Sequence, residues 1–361
     1  MKIAILSDIH ANHLALEAVL EDASQRGVQR YWFLGDAIGY GPDPFGPLQW
    51  LQDTVAAEDW VLGNHEAIFG VTETIPALAE TLELEQETLL AILRYEGEKA
   101  IPEKRQKQSP QAAFAASLDM AEDCLVELTK HIRRAWDANG NRQILSIEQW
   151  AAVNGQAKKS LQINREALSL KPELLSFCIK EITPQRAAPH CHHLDGVNYI
   201  LVHSGQTNHL TRYIYPWPPD GYKETEFNLL SKIAAESGFP QVQCFGHTHV
   251  PALVFPPLNG ENVNSVKIIP EKEYQLKDNL VLLNPGSVGQ PRHQCQKAAY
   301  AILDTEERTV IFLRVPYNWE EARRRLLARN YPESLAHRLK NPSLPSDTPA
   351  EWHKHFRQVC T

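Results

Sequence analysis

Carboxylate, amide and imidazole side chains are concentrated in five short stretches of this 361-residue chain: Asp8-Ile9-His10, Gly35-Asp36, Gly63-Asn64-His65-Glu66, His203-Ser204 and Gly246-His247-Thr248-His249. These are ligand types for hard or borderline divalent cations, with no thiolate among them, so Mn, Fe, Co or Zn would suit them. Asp8/His10 and His247/His249 are spaced by two, which in extended backbone puts both side chains of a pair on one face. The set suffices for two cation positions, Asp8, His10 and His249 at one and Asn64, His203 and His247 at the other. Asp36 is assigned between them, because a carboxylate has lone pairs enough for two cations. Ions about 3.5–4 Å apart can share a water, lower its pKa and present a bridging hydroxide. Two divalent cations against two aspartates and one hydroxide leave a local positive charge that attracts a phosphate ester, although the whole chain carries −8. His65 follows an assigned ligand and can face substrate. There it would protonate or stabilise a leaving oxygen, typically worth about 10²–10⁴-fold. Asp36 and His65 are therefore the catalytic expectations.

These stretches need elements that bring them together. Each follows a short apolar run, at 3–6, 31–34, 60–62, 199–202 and 242–245. In an open α/β sheet the carboxyl ends of strands converge on one crevice. Leu14, Leu16, Val19 and Leu20 repeat at helical spacing, and Gly27 ends that helix. Strand, helix and strand in this order imply parallel pairing through right-handed crossovers. Gly39-Tyr40-Gly41-Pro42-Asp43-Pro44 breaks both periods and reads as a loop. From 74 to 189 the chain is rich in Ala, Glu, Gln, Leu and Lys, with helical patterns at 83–96, 112–135 and 164–177. A helix near 225–237 and strands at 251–255, 265–269, 280–283, 298–303 and 309–315 follow. Short turns separate the last three, which suggests antiparallel or mixed pairing in a second sheet. Residues 318–341 are helical with a break at Tyr331-Pro332, 342–349 is a linker, and the last dozen residues carry no pattern.

The length suggests two domains or one with insertions. With 43% hydrophobic and 22% charged residues the chain is not globally disordered. Its negative charge opposes a broad surface for nucleic acid or anionic membrane. Six scattered cysteines argue against a disulfide scaffold, and with no 18-residue apolar window in the sequence neither a leader nor a membrane span is expected. A soluble, cytoplasmic protein acting on a phosphorylated small molecule or nucleotide is expected, without membrane or nucleic acid as partner. Closing a homo-oligomer is one use for the helical insertion.

The order D-x-H, G-D, G-N-H-[ED], H, G-H-x-H resembles the calcineurin-like metallophosphoesterases. Asp8-Ile9-His10-Ala11-Asn12, Gly39-Tyr40-Gly41-Pro42 and Asn284-Pro285-Gly286-Ser287-Val288-Gly289-Gln290-Pro291-Arg292 look like its bacterial branch of small phosphodiesterase/phosphatase proteins. The resemblance covers about 1–70 and 197–315. It implies an α/β fold, a four-layer α/β/β/α sandwich with metals at one edge of two mixed sheets. It also implies a metal pair bridged by Asp36, with His65 as the catalytic histidine beside it. The expected organisation is a core at 1–73 and 197–315, a helical insertion or cap at 74–189 and a C-terminal helical extension at 316–361. The expected function is a dinuclear metal-dependent phosphoester hydrolase, phosphodiesters ahead of phosphomonoesters. The alternatives are a phosphomonoesterase or protein phosphatase, and a regulatory or scaffolding protein that keeps the core. Ala11 stands where glycine is usual, tolerable if the backbone there is not left-handed. The arginine often found after this histidine is missing after His203.

Other conspicuous residues receive plainer readings. His190-Cys191-His192-His193 has no matching second ligand pair and reads as a part-exposed loop rather than a zinc site. Arg323, Arg324, Arg325 and Arg329 read as a solvated or inter-element helix face. Tyr213, Tyr215 and Trp217 read as packing rather than a base-stacking surface. Ser204 and Ser287 lack a nucleophile elbow, and the run from Asn284 to Gly289 reads as a rigid loop beside the site.

Overall fold

The computed structural model describes residues 1–99, 111–257, 263–277 and 279–360, so residues 100–110 of the expected insertion lie outside the described residues. Within them the strands are β1 (Lys2–Leu6), β2 (Arg30–Phe33), β3 (His190–Leu194), β4 (Val197–Leu201), β5 (Gln241–Cys244), β6 (Ala252–Phe255), β7 (Asn264–Ser265), β8 (Glu273–Gln275), β9 (Leu280–Asn284), β10 (Ala298–Asp304) and β11 (Thr309–Val315). One sheet has the order β2-β1-β10-β11-β8, the other β3-β4-β5-β9-β6-β7. Both are mixed. In the first, β1 runs parallel to β2, with Ile5 opposite Trp32, and antiparallel to β10, with Ile5 opposite Ala301. In the second, β4, β5 and β9 are parallel, aligning Tyr199, Val242 and Val281, while β3 and β6 flank them antiparallel.

The period-two alternation of strand side chains builds the layers. Val197, Tyr199 and Leu201 of β4 join Ile3, Ile5, Trp32, Leu303 and Phe312 of the other sheet in one core. The opposite face of β4, through Ile200 and Val202, meets Phe227 and Leu230 of the helix Gly221–Ser237. On the outer side of the first sheet lies the helix His13–Gln25, burying Leu16, Val19 and Ala23, and Tyr300 of β10 donates to its Asp22 at 2.6 Å. Helix, sheet, sheet and helix make four layers, as expected. Truncating one such core leucine to alanine costs about 2–5 kcal/mol.

Several local expectations are corrected. The strand expected at 60–62 shrinks to one parallel bridge, Phe33 to Trp60, because the chain turns at Gly63 into the helix Asn64–Thr81. Of the last three expected strands only β9 belongs to the second sheet; β10 and β11 join β1 in the first. Apolar alternation reports burial, not which sheet supplies the partner. The pattern at 112–135 is two helices, Gln111–Ser117 and Glu122–Ala138. That at 164–177 is also two, Gly155–Leu168 and Pro172–Glu181, since Pro172 can open a helix but not continue one. The patternless last dozen residues form the helix Ala350–Gln358, which buries Trp352 and Phe356, and Cys360 beyond it is disulfide-bonded to Cys295.

The chain divides into two compact units, 1–66 with 159–361, and 67–158; of the segment 74–189, residues 74–158 fall in the second and 159–189 in the first. The second unit is helical and internally well paired. Arg133 bridges Glu96 and Glu148 at 3.0 and 2.7 Å, and the Trp136 and Trp150 indoles donate to the Leu145 carbonyl and Thr72 hydroxyl, each at 3.1 Å. Among the described residues no helix is long and apolar enough to cross a membrane.

Candidate metal centre

β1, β2, β4 and β5 end at the same edge of the first unit, and the chemistry-bearing residues follow those ends directly. Several occupy left-handed backbone: Asp8 at φ 54°, His10 at 49°, Asp36 at 64°, His247 at 63° and His249 at 60°. Each costs on the order of 1 kcal/mol for a residue with a Cβ. Such strain persists where the surrounding structure over-determines it, most often at functional sites. Ala11 is also left-handed, at φ 51°. The condition attached to its methyl group is thus not met, and the chain tolerates an alanine in glycine-like backbone.

Asp8, His10 and His249 are all buried and meet at one point. Asp8 Oδ1 is 3.2 Å from His249 Nε2 and 3.8 Å from His10 Nε2, and the two Nε2 atoms are 3.0 Å apart. The other nitrogen of each ring is committed. His10 Nδ1 donates to the Ile38 carbonyl at 3.2 Å and His249 Nδ1 to the Gln290 carbonyl at 2.6 Å. A carbonyl cannot donate, so Nδ1 carries the proton in each ring. Burial, then the charges of neighbouring groups, holds both rings well below the usual histidine pKa, His249 at about 4, so both are neutral. Two lone pairs and a carboxylate oxygen therefore face one another. Acceptors face acceptors, an arrangement that a cation relieves.

A second convergence lies alongside. Asn64 Oδ1 is 3.1 Å from His203 Nε2 and 2.9 Å from His247 Nδ1, while His203 Nδ1 donates to the Leu34 carbonyl at 2.7 Å. His247 Nε2 is buried without a hydrogen-bond partner. Asp36 lies between the two groups, its Oδ2 3.6 Å from His10 Nε2 and 3.5 Å from His203 Nε2. Burial first, then Glu66 and Asp8, pushes the Asp36 carboxyl well above its usual range. Burial also pushes Asp8 upward, but His249, His203 and His10 outweigh it and hold Asp8 well below that range. These buried carboxyl and imidazole groups have the chemistry of a site for two divalent cations, and every residue assigned to one from the sequence is here.

His65 adjoins the Asp8 side, its ring 4.6 Å from His10 and 4.4 Å from Tyr40, and its Nδ1 has no hydrogen-bond partner. Burial, then His249 and His203, brings its pKa down to about 3. Its ring is seated against Gly39, which is at φ 86° and where a Cβ would stand 2.8 Å from His65 Cε1. Only glycine fits there. The Gly39 and Tyr40 amides donate to Asn164 Oδ1 and Ser160 Oγ at 2.7 and 3.0 Å, so the helix Gly155–Leu168 holds this loop.

Glu66 and Asn284 received no role from the sequence. Glu66 accepts from the amides of Asp36, Ile38 and Gly63 at 2.9, 3.0 and 2.9 Å, tying two strand ends together. The E of the G-N-H-E stretch was the available signal. Asn284 donates to the Gly246 carbonyl and Thr248 hydroxyl at 2.7 and 3.0 Å, and Ser287 donates to the Asp8 carbonyl at 2.9 Å. The loop is thus bonded to both histidine-bearing turns.

Outside the centre, His190 to His193 form an edge strand, not a loop. Among the described residues none of them joins a metal-ligand group. Arg325 and Arg329 pair with Asp43 at 2.8 and 2.7 Å, an inter-element contact, and Arg324 pairs with Glu321 at 2.6 Å. Tyr215 stacks on Trp217 at 4.7 Å, but Tyr213, 43% exposed, lies 4.3 Å from His247. Arg338 was not singled out and Arg292 only closed the run from Asn284 that carries the resemblance; both guanidiniums donate to Gln290 Oε1 at 3.3 Å.

The model of the family described as calcineurin-like phosphoesterase matches residues 1–251. An uncharacterized protein of Methanocaldococcus jannaschii is 25% identical over 338 residues, 93% of this chain and 96% of its own length. The fold is similar to that of a metallophosphoesterase from Sphaerobacter thermophilus, with 23% identity, a TM-score of 0.53 and coverage of 95% of this chain and 99% of that one. It is also similar to a hypothetical protein of Pyrococcus horikoshii, with 15% identity, a TM-score of 0.56 and the same coverage.

Proposed function

The chain belongs to the calcineurin-like phosphoesterase family, and from that premise we propose that it is a metal-dependent phosphoester hydrolase, acting on phosphodiesters in preference to phosphomonoesters. The observation that carries this reading is the position of Asp36 Oδ2, about equally far from an imidazole nitrogen of each ligand group. Asp8, His10 and His249 would hold one divalent cation, Asn64, His203 and His247 the other, and Asp36 would be shared. Bound there, Mn, Fe, Co or Zn would supply Lewis-acid stabilisation of the phosphoryl oxygens and a water acidic enough to serve as nucleophile near neutral pH.

The chain's own residues prepare this chemistry. Backbone carbonyls of Ile38, Gln290 and Leu34 fix the histidine tautomers, so that lone pairs point inward without reorganisation. Glu66 holds the Asp36 and Gly63 turns in register. His65, seated by Gly39, would hydrogen-bond the leaving oxygen. The part-exposed Tyr213 beside His247 offers a surface next to the centre, which supports a substrate with a substituent beyond the phosphoryl group. The test is hydrolysis of chromogenic phosphomonoesters and phosphodiesters by metal-stripped protein, before and after adding back each metal. Metal-restored turnover that Asp36→Asn lacks is expected, with the diester faster. No turnover of either ester by folded, metal-loaded protein contradicts the reading.

A further inference from the structure

Two arginines reach the rim of this centre without a direct ion pair among the described residues, although the buried Asp8 and Asp36 act on Arg292. Arg292 follows the loop Asn284 to Gly289, and Arg338 lies on the helix Glu333–Lys340 of the C-terminal extension. Both guanidiniums donate to one acceptor, Gln290 Oε1, each at 3.3 Å. The same residue accepts from His249 Nδ1 through its backbone carbonyl, so a single residue sets both arginines in register with the ligand histidines. Gln290 is itself buried. Among the described residues neither arginine is in an ion pair, whereas Arg325 and Arg329 of the same extension both pair with Asp43.

Bringing two like charges to one amide oxygen, part-buried, is unfavourable unless an anion completes the arrangement. Burial and then Arg292 draw Arg338 below the usual arginine pKa, which registers that cost. Arginine at both positions suits phosphate, since its planar fork can donate two parallel hydrogen bonds. The two arginines differ in depth. Arg292 is among the main charges acting on His10, His65, His247 and His249. Arg338 instead faces Tyr40, at 5.8 Å from its ring centre, and Arg292 and Tyr213.

We propose that Arg292 and Arg338 form an anion-binding pair, Arg292 for the scissile phosphoryl group and Arg338 for a second phosphate on the same substrate. This rests on the hydrolase reading and narrows it to phosphoesters bearing a further phosphate. Tyr213, part-exposed and 4.3 Å from His247, suits a nucleoside between the two phosphates.

The test compares binding of adenosine 3′,5′-bisphosphate and adenosine 5′-monophosphate to metal-loaded protein by calorimetry, with hydrolysis of a chromogenic diester followed on the same preparation. The bisphosphate is expected to bind on the order of ten- to hundredfold more tightly. Arg338→Ala should bring that ratio close to one, Arg338→Lys should keep part of it, and Arg292→Ala should weaken both ligands. If Arg338→Ala fails to fold, as read by circular dichroism, the ratio in Arg338→Lys and Arg338→Gln decides. Equal binding of the two ligands by the wild type, or an unchanged ratio in the Arg338 variants, overturns the pair. With turnover present, such a result leaves the hydrolase reading standing; absence of turnover alone overturns that reading and not the binding pair.

Discussion

Of the histidine-x-histidine sequences in the first unit of this protein, two behave in opposite ways. In His247-Thr248-His249, His249 gives Nδ1 to a backbone carbonyl and aims Nε2 at another neutral ring and a carboxylate. In His190-Cys191-His192, on strand β3, the rings spend their nitrogens on backbone carbonyls. His190 meets those of Glu58 and Gln185 at 3.1 and 3.4 Å, and His192 that of Glu58 at 3.0 Å while stacking on Trp32 at 5.2 Å. Identical spacing thus serves architecture in one place and leaves lone pairs unanswered in the other. What separates them is the atom met by the far nitrogen. Unanswered acceptors in a buried place are an arrangement that a cation would satisfy.

The largest effect should come from the group between the two clusters. Asp36→Asn is expected to lower metal-restored hydrolysis by more than about 10⁴-fold, and His65→Ala, which acts at the leaving oxygen alone, by about 10²–10⁴-fold. Initial rates of both variants under saturating metal check the order; the reverse order would break the assignment of Asp36. Next, paired alanine variants set the two histidine motifs against each other. His247→Ala should abolish most turnover, whereas His192→Ala should keep turnover within about twofold and lose roughly 1–2 kcal/mol of stability, from one hydrogen bond and one ring stack. Denaturant melts and rates together read this, and equal loss of activity in both would erase the distinction.

A smaller effect is expected at Glu66, which separates building a site from being one. Glu66→Ala removes three charge-assisted bonds to backbone amides and should cost roughly 2–4 kcal/mol in a chemical melt. The smallest is at Ala11. Glycine there relieves a left-handed φ but gives up a buried methyl group, two terms of about 1 kcal/mol with opposite sign, so a thermal melt should move little.

The residues that meet in the candidate centre were legible in the sequence because they follow apolar runs, and the end of such a run is a place that one-dimensional patterns locate well. Four-layer packing was implied by the family resemblance rather than by these runs. The runs do not give the pairing either. Nothing in the alternation of 298–303 says that it will lie beside β1 rather than β9, since both neighbours bury the same kind of face. His190 to His193 looked like a loop because a strand at a sheet edge, held by carbonyls and one indole, needs no apolar run. Arg338 was invisible for a different reason. It approaches Arg292 only because the C-terminal helices fold back, and its significance is the absence, among the described residues, of an ion-pair partner, which a sequence cannot display. Glu66 stood inside a conspicuous motif, yet its work is done on backbone amides, which carry no side-chain signature.

The central claim is that the acceptors facing acceptors between Asp8, His10 and His249, and the convergence of Asn64, His203 and His247 beside Asp36, where His247 Nε2 is buried without a partner, are places for cations. Titrating metal-stripped protein with Mn²⁺ by calorimetry, with bound metal counted by elemental analysis, tests it most directly. Two ions per chain are predicted for the wild type and for His192→Ala, with both sites weakened together in Asp36→Asn. A wild-type protein that binds no divalent cation, or an Asp36→Asn variant that binds two as tightly as the wild type, would contradict it.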